Sequence, residues 1–215
     1  MSLRKDKGML VLFGLAIVGL LGLLVVAAVY LSNAHTGRHD GAGEFPGATA
    51  YPVDDAPAPR MRLEDAASGK LLDTADLKGK PYMVTFLYTH CPTVCPLIGA
   101  ELQQALSELG PDAKRVAVVA LSVDPRGDTL SSVRSWLGVH HEPPSFHYLI
   151  GGEGRLRPYW NAWHVGPQIP GDPDSSHSAV IYLVTKQGTI AGILAAGSQL
   201  SSADLAHDFR AMLKG

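Results

Sequence analysis

Pro81-Tyr82-Met83-Val84-Thr85-Phe86-Leu87-Tyr88 runs directly into Thr89-His90-Cys91-Pro92-Thr93-Val94-Cys95-Pro96, and this junction decides the fold. The first eight residues are nearly all apolar and rich in β-formers. A short run of that kind reads as a strand buried on both faces, as in a parallel sheet. Beyond the junction, Leu97, Ile98, Leu102, Leu106 and Leu109 recur at helical spacing, and Gly110-Pro111 ends the helix. Both cysteines therefore lie at the carboxyl end of a central strand, where α/β sheets place their sites. Backbone N–H groups at a helix N-terminus favour negative charge, so a thiolate there is stabilised. Pro92 and Pro96 each follow a cysteine, restrict the loop and suit a helix start.

Working outward, short strands are predicted at 61–63 and 71–72 around the turn Ser68-Gly69-Lys70. A second buried strand covers 115–123 and closes at Asp124-Pro125. A helix follows over 129–137, with Asp128 as its N-cap. Tyr148-Leu149-Ile150 reads as a strand, and a helix is expected around 159–163. Strands at 178–185 and 189–194 flank the hairpin turn Lys186-Gln187-Gly188, and a final amphipathic helix starts at Ser201 or Ser202. Strands alternating with helices, followed by a hairpin and a helix, predict an α/β domain with a mixed central sheet flanked by helices. That is the element order of a thioredoxin-like domain. Trp160, Trp163 and His164 are expected to pack a helix against the sheet. His140, His141 and His147 read as a solvated loop, and His207 lies on the last helix with no partner in view.

Two cysteines exclude a disulfide-dense scaffold and a four-cysteine zinc or iron–sulfur site. A structural bridge between positions 91 and 95 would close a very short loop and remove little unfolded-state entropy. Redox chemistry and metal binding remain, and a third ligand would separate them. Of nine histidines, His177 stands immediately before the late strand, in Asp172-Pro173-Asp174-Ser175-Ser176-His177-Ser178. In a thioredoxin-like fold that loop faces the cysteine loop. Two thiolates and an imidazole form a soft-to-borderline set suited to copper. A thiol–disulfide oxidoreductase, with Cys91 attacking and Cys95 resolving, is the rival reading. The three-residue spacer, where thioredoxin has two, counts against it, and so does His177. A peroxidase of the peroxiredoxin type is disfavoured, because Thr89 precedes Cys91 by two residues instead of three.

The remainder of the 215 residues says where such a domain works. Residues 8–31 carry no charged side chain and are rich in Leu, Val, Ile and Ala. As a helix they span roughly 36 Å, enough for a bilayer core of about 30 Å. Arg4, Lys5 and Lys7 precede the run, which puts residues 1–7 in the cytoplasm and everything after Leu31 outside. Ser32-Asn33-Ala34 resembles a signal cleavage site, but the apolar run is longer than a signal-peptide core, so an uncleaved single-pass anchor is preferred. One Ser and one Arg ahead of the run argue against a mitochondrial transit peptide and for a bacterial cell membrane. Residues 32–59, mostly Gly, Ala, Pro, Asp and His, read as a flexible linker, and 60–215 as the folded domain. With 18 Lys+Arg against 20 Asp+Glu, nothing suggests a grip on nucleic acid.

Three motifs together resemble the Sco/SenC family of membrane-anchored copper proteins: Tyr88 to Pro96, Ser122-Val123-Asp124-Pro125 with Asp128-Thr129, and His177-Ser178 before Tyr182-Leu183-Val184. The resemblance implies a thioredoxin-like fold and copper, as Cu(I) or Cu(II), bound by Cys91, Cys95 and His177. It further implies delivery to the cytochrome c oxidase subunit carrying CuA, exchange with other periplasmic copper carriers, and a thiol–disulfide role on that centre's cysteines. Asp124 matches the family's acidic residue near the metal loop, supporting the site from outside the ligand set. His90 falls in the motif but outside the ligand set. Thr93, Ser176 and Arg126-Gly127 stand where the family often carries acidic residues. These changes remove negative charge near the site, which weakens Cu(II) binding or shifts its potential.

Overall fold

The structure, a computed structural model, describes residues 56–168, 179–197 and 200–215, together with Leu23. The expected anchor (Leu23 excepted), most of the linker and His177 lie outside the described residues. Among the described residues no helix is long and apolar enough to cross a membrane.

Seven strands form one mixed sheet in the order β2-β1-β5-β4-β3-β6-β7. Its centre is β3 (Tyr82–Leu87), β4 (Ala117–Ser122) and β5 (Phe146–Ile150), paired in parallel. Every residue of β3 and β4 is buried, as their continuous apolar sequences require. On one side β1 (Arg62–Asp65) runs antiparallel to β5 and to β2 (Lys70–Asp73). On the other, β6 (Val180–Val184) runs antiparallel to β3, and β7 (Ile190–Ala195) closes the edge as the hairpin partner of β6. Ahead of β1, the Ala58 N–H donates to the Gly188 carbonyl and the Ala56 carbonyl accepts from Ile190, each at 2.9 Å.

Four helices cover the sheet: α1 (Val94–Leu109), α2 (Leu130–Val139), α3 (Glu153–Ala162) and α4 (Ser202–Lys214). Of the periodic apolar residues of α1, Ile98, Leu102, Leu106 and Leu109 are buried as their spacing predicts, whereas Leu97 is exposed; the helix packs along α4, which buries Leu205, Phe209 and Met212. At Gly99 a side chain has no room, because a Cβ would lie 2.6 Å from the Trp136 ring of α2. Only glycine permits that approach of α2 to α1. In α3 the helix begins at Glu153, well before the expected 159, because the Gly-rich turn is short. Gly154 and Pro158 weaken the local helical signal, and packing of Leu156 and Trp160 overrides it. Trp160 and Trp163 are buried as expected, with Trp163 set edge-on to Tyr182 at 4.9 Å, whereas His164 is exposed and does not pack against the sheet.

Other local expectations also need correction. The N-cap of α2 is Thr129, not Asp128: its hydroxyl accepts from the Ser132 N–H, and the Ser132 hydroxyl answers the Thr129 N–H in a capping box. His147 is not in a solvated loop but on β5, with Nδ1 3.1 Å from the Asp65 carboxylate. Burial raises the pKa of Asp65, but hydrogen bonds from His147, the Tyr148 N–H and the Ser68 hydroxyl outweigh it and hold the carboxyl below its ordinary range. His207 has a neighbour after all, the buried Asp208, at 3.6 Å.

Candidate metal and thiol site

The cysteine loop leaves the C-terminal end of β3 beside the end of β4, where the Val123 N–H extends the ladder to the Leu87 carbonyl at 3.0 Å. Cys91 precedes α1 and Cys95 sits in its first turn, so the pair straddles the helix N-terminus instead of lying in one helical turn. The two are unbridged and buried, Cys95 completely. The Thr93 side chain makes no cap bond to α1, and Pro96 offers no N–H. Sulfur fills the place instead: the Cys95 N–H donates to the Cys91 Sγ at 3.3 Å.

Several donors converge on that one sulfur. The Cys95 thiol gives the largest effect, and the Cys95 and Thr93 N–H groups and the Tyr88 hydroxyl add to it. Against the opposing pull of burial they bring the Cys91 pKa down to about 4, so Cys91 is a thiolate at neutral pH. Cys95 moves the other way, because its proton is held by Cys91 and its surroundings are apolar. Burial, with the bond to Cys91, likewise raises Tyr88. The site is thus asymmetric, with one thiolate and one proton-bearing thiol.

Asp124 stands in the loop after β4. Its Oδ1 accepts from the Gly127 N–H at 3.0 Å and the Arg126 N–H at 3.2 Å, which folds the loop back on itself. His90 is exposed, with Nδ1 3.2 Å from the Thr89 hydroxyl. A Cβ at Gly127 would clash with the Asp124 carboxylate and lie 2.9 Å from His90 Nδ1, so the two loops meet at this glycine. Among the described residues no three His, Cys, Asp or Glu side chains are grouped to hold a metal ion. His177, expected as the third ligand, lies outside those residues. Sequence reasoning missed one residue at the site, Asp128. It is turned inward and bonded to Thr89, and no local signal distinguishes that role from a helix cap.

The lowered Cys91 pKa predicts a pH profile. The rate of Cys91 alkylation by iodoacetamide should be flat through neutral pH and halve near about 4, whereas an ordinary thiol would halve near 9.0. A midpoint at about 8 or above would contradict the donor arrangement. The linked stability has a definite sign. Below 9.0 the unfolded Cys91 holds a proton that the native thiolate lacks, so this contribution shrinks as pH falls and is gone below about 4.

A mixed sheet with a reactive thiol pair at the junction of a central parallel strand and its helix defines a thioredoxin-like protein. The chain belongs to the SCO1/SenC family, whose model matches residues 62–214. It is 30% identical to the copper-bound ScoI of Bradyrhizobium japonicum, covering 72% of this chain and 98% of that one, with a TM-score of 0.61. Apo Sco1 of Thermus thermophilus is 25% identical, covering 77% and 96%, with a TM-score of 0.64. A SCO2-like protein of Rickettsia conorii is 25% identical over 127 residues, which is 56% of this chain. The match spans 61% of that relative's length.

Proposed function

We propose that this chain is a copper metallochaperone, anchored in a bacterial cell membrane by residues 8–31, with its folded domain outside the cytoplasm. Copper is its cargo. Cys91 and Cys95 take up the ion, His177 completes the site, and ligand exchange passes it to the cytochrome c oxidase subunit carrying CuA. The observation that carries this reading is the buried cysteine pair at the α1 N-terminus, where the Cys95 N–H donates to the Cys91 Sγ and the surrounding donors draw the Cys91 thiol down. Soft sulfur ligands select Cu(I), and a low-pKa thiolate needs no proton removed before it binds. The copper-bound relative from Bradyrhizobium japonicum supports the same cargo. In a strain lacking the gene, oxidase activity and the CuA absorption should be lost, and should return with the wild-type gene but not with Cys91→Ser. Normal CuA content in the deletion strain would contradict the recipient.

The asymmetry of the thiols favours a second reading, a thiol–disulfide oxidoreductase acting on the acceptor's cysteines. The Cys91 thiolate attacks the acceptor disulfide, forming a mixed disulfide and releasing one acceptor thiolate. Cys95 gives its proton to the acceptor thiolate released first, and its sulfur then displaces the second acceptor thiolate, leaving a Cys91–Cys95 disulfide and a reduced acceptor. Its protein-specific support is the opposite displacement of the two thiols.

A further inference from the structure

One carboxylate joins the cysteine loop to the end of β4 and the middle of β5. Asp128 is only 4% exposed, although it sits in the connection between β4 and α2. Its Oδ1 accepts from the Thr89 N–H at 2.8 Å and the Thr89 hydroxyl at 2.9 Å. Its Oδ2 accepts from the Ser122 hydroxyl at 2.6 Å and the Tyr148 hydroxyl at 3.1 Å. Thr89 follows β3 and stands two residues before Cys91, Ser122 ends β4, and Tyr148 lies in β5.

This arrangement is not helix capping, since Thr129 supplies that function. Burying a carboxylate among neutral donors is unfavourable in itself; burial raises the pKa of Asp128, and the four bonds from Ser122, Thr89 and Tyr148 offset only part of that loss of water. Two of the four fix the residue that opens the cysteine loop. The β3–β4 ladder ends at Leu87 and Ser122, so Asp128 is the acceptor that continues the hold on the chain beyond the strand.

We propose that Asp128 is a positioning residue for the cysteine pair, holding Thr89 so that the following turn delivers the Cys91 sulfur to the first N–H groups of α1. This rests on Cys91 and Cys95 being the working pair, and not on copper being what they hold. The chemistry required of residue 128 is an acceptor facing Thr89. Asparagine can provide it: its carbonyl faces Thr89, while its amide donates to the Ser122 and Tyr148 hydroxyls, which turn to accept. Alanine cannot.

The test compares Asp128→Asn, Asp128→Ala and Thr89→Val in the full reduced chain, by amide hydrogen exchange and by copper(I) titration against a chromophoric chelator. Loss of the bonds to Thr89 should speed exchange at the Thr93 and Cys95 amides about tenfold, with the amides of β3 and β4 unchanged. Copper(I) affinity should fall about tenfold in Asp128→Ala and stay within about threefold of wild type in Asp128→Asn. Thr89→Val, which keeps the N–H bond to Asp128 but removes the hydroxyl's bond to it and its contact with His90, should fall between them and provides the readout where Asp128→Ala fails to fold. Unchanged loop exchange in Asp128→Ala and Thr89→Val would overturn the proposal. So would an asparagine variant as impaired as the alanine one, since charge and not position would then be the cause. Failure of the wild type to bind copper would sink the chaperone reading alone, because the exchange data decide the role of Asp128 without metal.

Discussion

Cys91→Ser and Cys95→Ser are each expected to weaken copper(I) binding by at least about 100-fold, which corresponds to about 2.7 kcal/mol. The reason is chemical rather than steric. Serine is close in size to cysteine, but its hydroxyl stays protonated at neutral pH and is a hard donor, whereas Cu(I) selects soft sulfur. The two variants should differ in one respect. Cys91→Ser removes the thiolate that the α1 N-terminus and its donors stabilise, and so also removes the low-pH alkylation described above. Cys95→Ser keeps that thiolate but replaces its largest stabilising donor with a hydroxyl. Alkylation of Cys91 should therefore persist in Cys95→Ser, since a hydroxyl can still donate to the sulfur. If both variants bound copper(I) as tightly as the wild type, the pair would not be the site.

The largest stability effect should come from Trp160→Ala, at about 3–5 kcal/mol. Trp160 is 1% exposed, and its Nε1 donates to the Ser122 carbonyl at 2.9 Å. Alanine there would leave a cavity against the end of β4 and strand the Ser122 carbonyl, whose side chain in turn bonds Asp128. A midpoint of thermal unfolding lowered by about 10 °C is the expected result for a domain of this size. Trp160→Phe should lose much less, since a ring still fills the space. A drop of only one or two degrees for the alanine variant (about 0.5 kcal/mol) would mean that α3 does not anchor the sheet.

The central part of the fold was legible because its signals are local and agree with one another. The apolar run of β3, the leucine period of α1 and the Gly-containing turn between β6 and β7 each specify one element. The cysteine junction was legible for the same reason. What escaped was long-range. Asp65 and His147 are 82 positions apart, and their pairing moves His147 from a presumed loop onto β5. Asp128 is the instructive case, since Asp before Thr at the start of an apolar period is a good cap signal. The neighbouring Thr129 takes the cap, and the carboxylate is free to bond Thr89, 39 positions away. In α3 the poor formers Gly154 and Pro158 hid a helix that tertiary packing imposes.

The chaperone account comes down to whether Cys91, Cys95 and His177 act as one ligand set. The direct measurement is a copper titration of the reduced full chain in detergent, wild type against His177→Ala, followed by sulfur-to-copper(II) charge-transfer absorption. The wild type should form a one-to-one complex with an intense band, and the variant should lose the band and bind at least about tenfold more weakly. Equal affinity and an unchanged band in His177→Ala would contradict the account, and ready disulfide reduction by the same variant would move the assignment to the thiol–disulfide reading.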